Sequence, residues 1–174
     1  MTFSIYNYKK VVFKLGKRNL NDLIDKLSKI KNNLAEIVAP DVNKLFKESV
    51  TFSLVDWYNS YDPHIYKRTN NFMSVVNTAR TTGTGNIITM SVDSSLMNDY
   101  PGFGIPPYEG YVKQSLNAST AFDYFFMNGE HGHGRWLMKT SLPPYMYVDA
   151  DIIDGFGGRV TSVVNAAISK IMKG

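Results

Sequence analysis

Three histidines, His64, His131 and His133, are the first residues of this chain whose types could do chemistry. His131 and His133 stand two apart, so on a strand both point the same way. With Glu130 or His64 they have the ligand types that zinc takes. Their setting is Asn128-Gly-Glu-His-Gly-His-Gly134, a glycine-spaced turn that supplies no rigid frame and no evident partner to orient either imidazole. The expectation is a hairpin tip that holds no metal. Asp149, Asp151 and Asp154 form a second cluster, but their spacing lacks the glutamate that closes a calcium loop. They precede the C-terminal helix, where negative charge favours a helix start. Gly83 and Gly85 have no Lys-Ser/Thr pair after them, so they make no phosphate cradle. No nucleophile elbow and no zinc-binding helix pattern occurs either. Cysteine is absent, which removes disulfides, thiolate ligands and thiol nucleophiles. These residues predict a protein that is not an enzyme and has no cofactor.

The rest of the composition fits one domain. A chain of 174 residues with 44% hydrophobic and 20% charged residues is long enough to bury a core without staples. Tyr and Phe, 11 and 10 in number, are the residues that interfaces over-use. The start lacks an uninterrupted apolar segment of leader type, and no run is long enough for a membrane span. Synthesis in a cytoplasm is therefore expected. The net charge of +4 has its excess early, in Lys9, Lys10, Lys14, Lys17, Arg18, Lys26, Lys29 and Lys31. Nucleic acid or an acidic partner would be drawn to such a segment. Helical spacing with Asp22 and Asp25 interspersed favours instead the solvated face of a helix.

The elements that position these residues follow from hydrophobic period. Residues 3 to 14 read as an extended arm or edge strand, within an N-terminal arm of residues 1–18. Leu20, Leu23, Ile24, Leu27, Ile30, Leu34, Ile37 and Val38 then recur at three- and four-residue steps, with Asn19 placed as N-cap. Pro40 should interrupt the helix and Asp41 open a second segment through Val42, Leu45, Phe46, Val50, Leu54 and Trp57. One kinked or two consecutive helices are predicted over about residues 19–60. Residues 71–80 and 86–93 read as strands around a turn at 81–86, with Ile88, Met90 and Val92 facing the core. Residues 94–118 read as a loop. Strands are expected at 120–127 and 135–140, and another at 146–148. A C-terminal helix carries Val160, Val163, Val164, Ala167, Ile168 and Ile171 on one face. The fold class predicted is α+β: a long N-terminal helix, an antiparallel sheet with hairpins and a C-terminal helix, in one domain over residues 19–174. Trp57 belongs to the core, and Trp136 to core or interface.

One stretch is more specific. Tyr61-Asp62-Pro63 stops the long helix, because the residue before proline avoids helical backbone. Tyr66, Arg68 and Thr69 lead onward, and the planar fork of Arg68 suits a carboxylate or helix-end carbonyls. A long helix that ends in Tyr-x-Pro-x-x-Tyr-x-Arg-Thr before a β-hairpin resembles the tail-completion, or neck, proteins of tailed bacteriophages. Here the motif is Tyr61, Pro63, Tyr66, Arg68 and Thr69, and Pro143-Pro-Tyr-Met-Tyr-Val-Asp-Ala150 with the last helix is similar to that family's ending. The longer middle, the extra first 18 residues and Asn128-Gly-Glu-His131 in place of the family's turn depart from the pattern. The resemblance implies a non-enzymatic virion protein. It implies a homo-oligomeric ring joining the head connector to the tail around the DNA channel, beside a head-completion or adaptor protein and a tail terminator or tail-tube protein.

Tyr100, Phe103, Ile105, Tyr108 and Tyr111 lie in a segment rich in Pro and Gly, where regular backbone pairing is denied. They are expected to be ordered by neighbouring subunits, because a monomer rarely leaves such a patch to water. The runner-up is a small basic nucleic-acid-binding protein that uses the N-terminal lysines and Arg68 on phosphates. Against it, the aromatics are not interleaved with the basic residues as a stacking platform requires. The corner reading of the motif has a direct test. If Arg68 holds a carboxylate or backbone carbonyls, Arg68→Ala removes a charged bond worth about 1.5–3 kcal/mol. Thermal melting should drop or particle assembly fail; an unchanged melting temperature with normal particles would mean a solvated side chain.

Overall fold

The computed structural model describes residues 2–4, 20–60, 71–97, 117–131, 138–139 and 142–173. Helix α1 spans Leu20–Asn59, 40 residues in one element. At 1.5 Å per residue it is about 60 Å long. It runs through Pro40 without a second helix start, so the two-helix alternative does not occur. Proline removes a donor from the helix interior, which costs most where the freed carbonyl is buried. Pro40 and Glu36 are both exposed, so this break in the ladder lies toward water. Asp41 opens no new helix; its carboxylate accepts from Lys44 Nζ at 2.7 Å. That bond, with the charge of Asp41, raises the Lys44 ammonium above the ordinary lysine range. The helix stops at Asn59, before Tyr61-Asp62-Pro63. Ser60 donates from its backbone N to the carbonyl of Asp56 at 2.9 Å and from its hydroxyl to that of Trp57 at 2.7 Å.

The chain divides into two compact units. The first takes Met1–Leu45, Arg80–Ser91 and Gly155–Gly174. Its sheet is built from β1 (Thr2–Ser4), β2 (Ala79–Thr84) and β3 (Ile87–Val92) in the order β1-β3-β2. The β1–β3 pairing is antiparallel, with Phe3 opposite Ile88, and β2 and β3 form the hairpin. Residues alternate as the period of two requires: Ile88 and Met90 are buried and Val92 half-buried, while Ile87, Thr89 and Ser91 face out. The turn, Gly85–Asn86, has its positive φ at Gly85 alone, which is the sign pattern of a II′ turn.

Here the hairpin meets the helix. A Cβ added to Gly83 would lie 2.1 Å from the backbone oxygen of Ala35. The amide of Ala35 also donates to the carbonyl of Gly85 at 3.2 Å. Ala35 itself is fully buried, so the contact is backbone on backbone. Leu34, Val38 and Val42 on α1 are buried as well, each stabilising by about 1.5–3 kcal/mol.

The last segment of this unit starts with an unusual turn. Gly155, Phe156, Gly157 and Gly158 all have φ between 54° and 77°. Left-handed backbone costs an L residue with a side chain roughly 1–2 kcal/mol, so three of the four positions are glycine. Phe156 takes the strained conformation and is buried. Its carbonyl accepts from Arg159 Nε at 2.9 Å. Helix α5 (Arg159–Lys173) then buries Val164 and Ile168, half-buries Val160, Val163, Ala167 and Ile171, and ends with Lys170 and Lys173 at its negative pole.

The second unit takes Phe46–Ala79 and Val92–Asp154. Its core is aromatic. The Trp57 ring lies 5.8 Å from Phe72 and 5.5 Å from Phe125, and Phe72 meets Phe125 edge-on at 5.1 Å. Such pairs contribute beyond their buried area. Val50 and Leu54, on the same helix as Trp57, are fully buried, and Trp57 is a core residue as expected.

Three expected strands are helices in this unit. Residues 71–78 form a 3-10 turn, Asn71–Ser74, and α2, Val75–Thr78, so only Ala79–Thr84 pairs with β3. Phe72, Val75, Thr78 and Ala79 are buried at helical steps, and Thr78 Oγ1 donates to the Val75 carbonyl at 2.8 Å. Residues 120–127 belong to α3 (Ala118–Phe122) and a π-helical turn (Asp123–Met127). Asn117 caps α3 by accepting from Thr120 N at 2.8 Å, and Phe122 stacks on Phe126 four residues later. The strand pair at 120–140 is reduced to β4 (Glu130–His131) and β5 (Met138–Lys139). Residues 146–148 lie within α4, Pro144–Ile153, which starts with proline at its first position.

The Gly83 contact makes a sharp prediction. Gly83→Ala should destabilise the chain by about 3 kcal/mol or more, because backbone cannot retreat from overpacking as a side chain can. Gly85→Ala, with open space around its Cβ, should cost only the left-handed strain of about 1–2 kcal/mol. Urea unfolding of both variants checks the order; equal losses would mean that the close approach is not limiting.

Candidate interaction surfaces

Most of the residues that sequence reasoning selected fall outside the described residues. These are the motif Tyr61, Pro63, Tyr66, Arg68 and Thr69, the aromatics Tyr100, Phe103, Ile105, Tyr108 and Tyr111, and also His64, His133, Trp136 and Asn19. His131 is placed only as a strand position opposite Met138, and Glu130, opposite Lys139, is buried. Among the described residues no three His, Cys, Asp or Glu side chains gather as a metal site. No described helix is long and apolar enough to cross a membrane.

What the described residues do present is exposed apolar surface on three helical faces. The first is the start of α1. From Asp22 to Asn33 every described side chain is exposed or half-buried. Ile24 is 51% exposed and Leu27 42%, although both belong to the apolar stripe, and Lys31 follows them one turn on. Lys26, beside the stripe, pairs with Asp22 at 3.5 Å. Sequence periodicity sees this stripe but not that its partner surface begins only near Leu34.

The second face lies further along α1. Phe52 is 69% exposed and Val55 43%, and with Lys47, Glu48 and Thr51 they line a shallow groove. Both residues lie off the buried stripe, which is the one sign of them in the sequence. The third face is on α4. Met146, Ala150 and Ile153 are exposed, Ile153 by 70%. At 100° per residue they form one ridge, with Asp149 on one flank and Asp154 on the other.

The aspartates correct an expectation. They do not start the last helix. Asp149 and Asp151 lie in the second half of α4 and Asp154 is its C-cap, donating its amide to the Ala150 carbonyl at 3.0 Å. α5 begins only at Arg159, after the glycine-rich turn. Asp151 and Asp154 thus sit at the negative pole of a helix, where each is disfavoured, with Asp149 one turn before it. Asp149 Oδ1 is in addition buried with no hydrogen-bond partner among the described residues. The arrangement does not serve the helix.

An α+β fold with apolar helical faces left open among the described residues is what these features define. The chain belongs to the YomN family, whose model matches residues 19–150. No curated protein and no solved structure matches the chain. If the α4 carboxylates act against fold stability, Asp154→Asn should raise it by about 0.3–1 kcal/mol. Denaturant unfolding of the unassembled chain measures this, and a clear loss of stability would show a structural role instead.

Proposed function

We propose that this protein is a non-enzymatic virion component that forms a ring in the neck of a tailed phage, joining head connector to tail around the DNA. The carrying observation is the open apolar surface on α1 and α4, which a monomer would leave to water. The Tyr61-to-Thr69 motif that follows the long helix, and the order of helix, hairpin and final helix, support the same reading. A ring subunit needs two unlike surfaces, one for each neighbour, since head-to-tail contacts close when their rotation does. Its ends must also meet different proteins, on one side an adaptor and on the other a tail terminator or tail tube. The lysines of the first 31 residues suit weak, sequence-independent contact with passing DNA.

The test is a particle that lacks this protein. Electron microscopy should then show filled heads and finished tails that are not joined, and purified wild-type particles should contain the chain. Normal joined particles, or purified virions without the chain, would refute the reading. Tight, sequence-selective binding of the isolated chain to duplex DNA at physiological salt would favour a nucleic-acid-binding role in its place.

A further inference from the structure

We infer that neighbouring copies meet through the start of α1 on one chain and the outer face of α4 on the next. The inference rests on the ring reading and adds the contact that would build it. The α1 stripe offers Ile24 and Leu27 to water with Lys31 one turn on, so its apolar surface ends in positive charge. The α4 ridge offers Met146, Ala150 and Ile153 between Asp149 and Asp154, so its apolar surface is edged by negative charge. Both are helical ridges of similar extent, and side chains three and four apart can interleave.

Neither face suits a second copy of itself. The spacing of Leu20, Leu23, Leu27, Ile30 and Leu34 is that of a coiled-coil seam. In a parallel pair of such seams, Lys26 of one helix would oppose Lys31 of the other, five residues on, and like charges would meet. Two α4 ridges face to face would bring carboxylates together in the same way. Paired with each other, the two faces bury five exposed apolar side chains and set Lys31 toward Asp149 or Asp154. Unlike faces on one chain give a head-to-tail contact, the kind that makes rings. The same pairing accounts for carboxylates at the wrong pole of α4: a lysine from the next copy would offset what the helix dipole costs there.

The chain has no cysteine, which makes the test clean. Leu27→Cys and Ile153→Cys are made as separate full-length proteins and treated with a short thiol-specific cross-linker, alone and mixed. The mixture should give a covalent dimer, neither protein alone should, and a chain with both changes should give a ladder. Lys31→Glu should weaken self-association about tenfold or more in sedimentation, and adding Asp154→Lys in the same chain should recover most of it. Circular dichroism of each variant checks that the helices are intact. Cross-linking of Leu27→Cys to itself would overturn the inference in favour of a symmetric seam. Wild-type oligomers with no mixed cross-link and no effect of Lys31→Glu would remove this contact and leave the ring. A wild-type chain that stays monomeric at all concentrations and in particles would remove both.

Discussion

The backbone of Gly83 lies against that of Ala35 at a distance no side chain could share, and the first unit is organised around this approach. A glycine in a strand normally weakens it, so its presence there calls for a reason. The reason is that hairpin and helix meet without side chains between them. The Ala35 amide reaches the Gly85 carbonyl only because the strand sits this close. Alanine at 35 matters for the same cause: a larger side chain on that turn would lift the hairpin away. From this point the buried faces follow, with Leu34, Val38 and Val42 on the helix and Ile88 and Met90 on β3.

Much of this architecture is legible from hydrophobic period. The helical period of residues 20–59, the alternation of β3 and the stripe of α5 are long or regular enough to be read from sequence, though Pro40 left one helix or two open. Where reading fails, the segments are short and β-rich in composition. Phe72, Val75 and Val76 look like strand residues, but four- to eight-residue stretches cannot be told apart by period alone. In the fold Phe72 packs against Trp57 and Phe125, contacts that the local pattern does not announce. The α4 start was marked in the sequence by Pro143-Pro144, a helix-opening signal that the aromatic run after it obscured. The Gly83 approach was hidden because residues 81–86 read as the turn, whereas Gly83 lies within β2, and nothing local names Ala35 as the surface it meets.

Surface function was less legible than fold, and the physical cause is plain. A periodic stripe says that a helix has an apolar side, but not which turns of that side are covered. On α1 the same stripe is buried from Leu34 and open before it. The charges carry more information than the apolar residues do. Asp151 and Asp154 oppose the dipole of their own helix, a local conflict of the sort that function leaves in an otherwise consistent sequence. Lys31 and Asp154 stand at the edges of exposed apolar ridges, a position from which a charge could steer a partner without deep burial.

The first unit is assembled from three separated stretches of chain, and this has a consequence for how the protein is made. A ribosome delivers α1 and the hairpin early and α5 late, with the whole of the stretch from Val92 to Asp154 between. Until Phe156 and α5 emerge, part of the apolar side of the first unit has no cover from its own chain. Nascent chains in that state are the ones that chaperones hold and that stray contacts capture. An early start on α1 pairing with another copy would compete with correct completion of the unit. The order of synthesis therefore favours a first unit that closes before any other protein binds its apolar side.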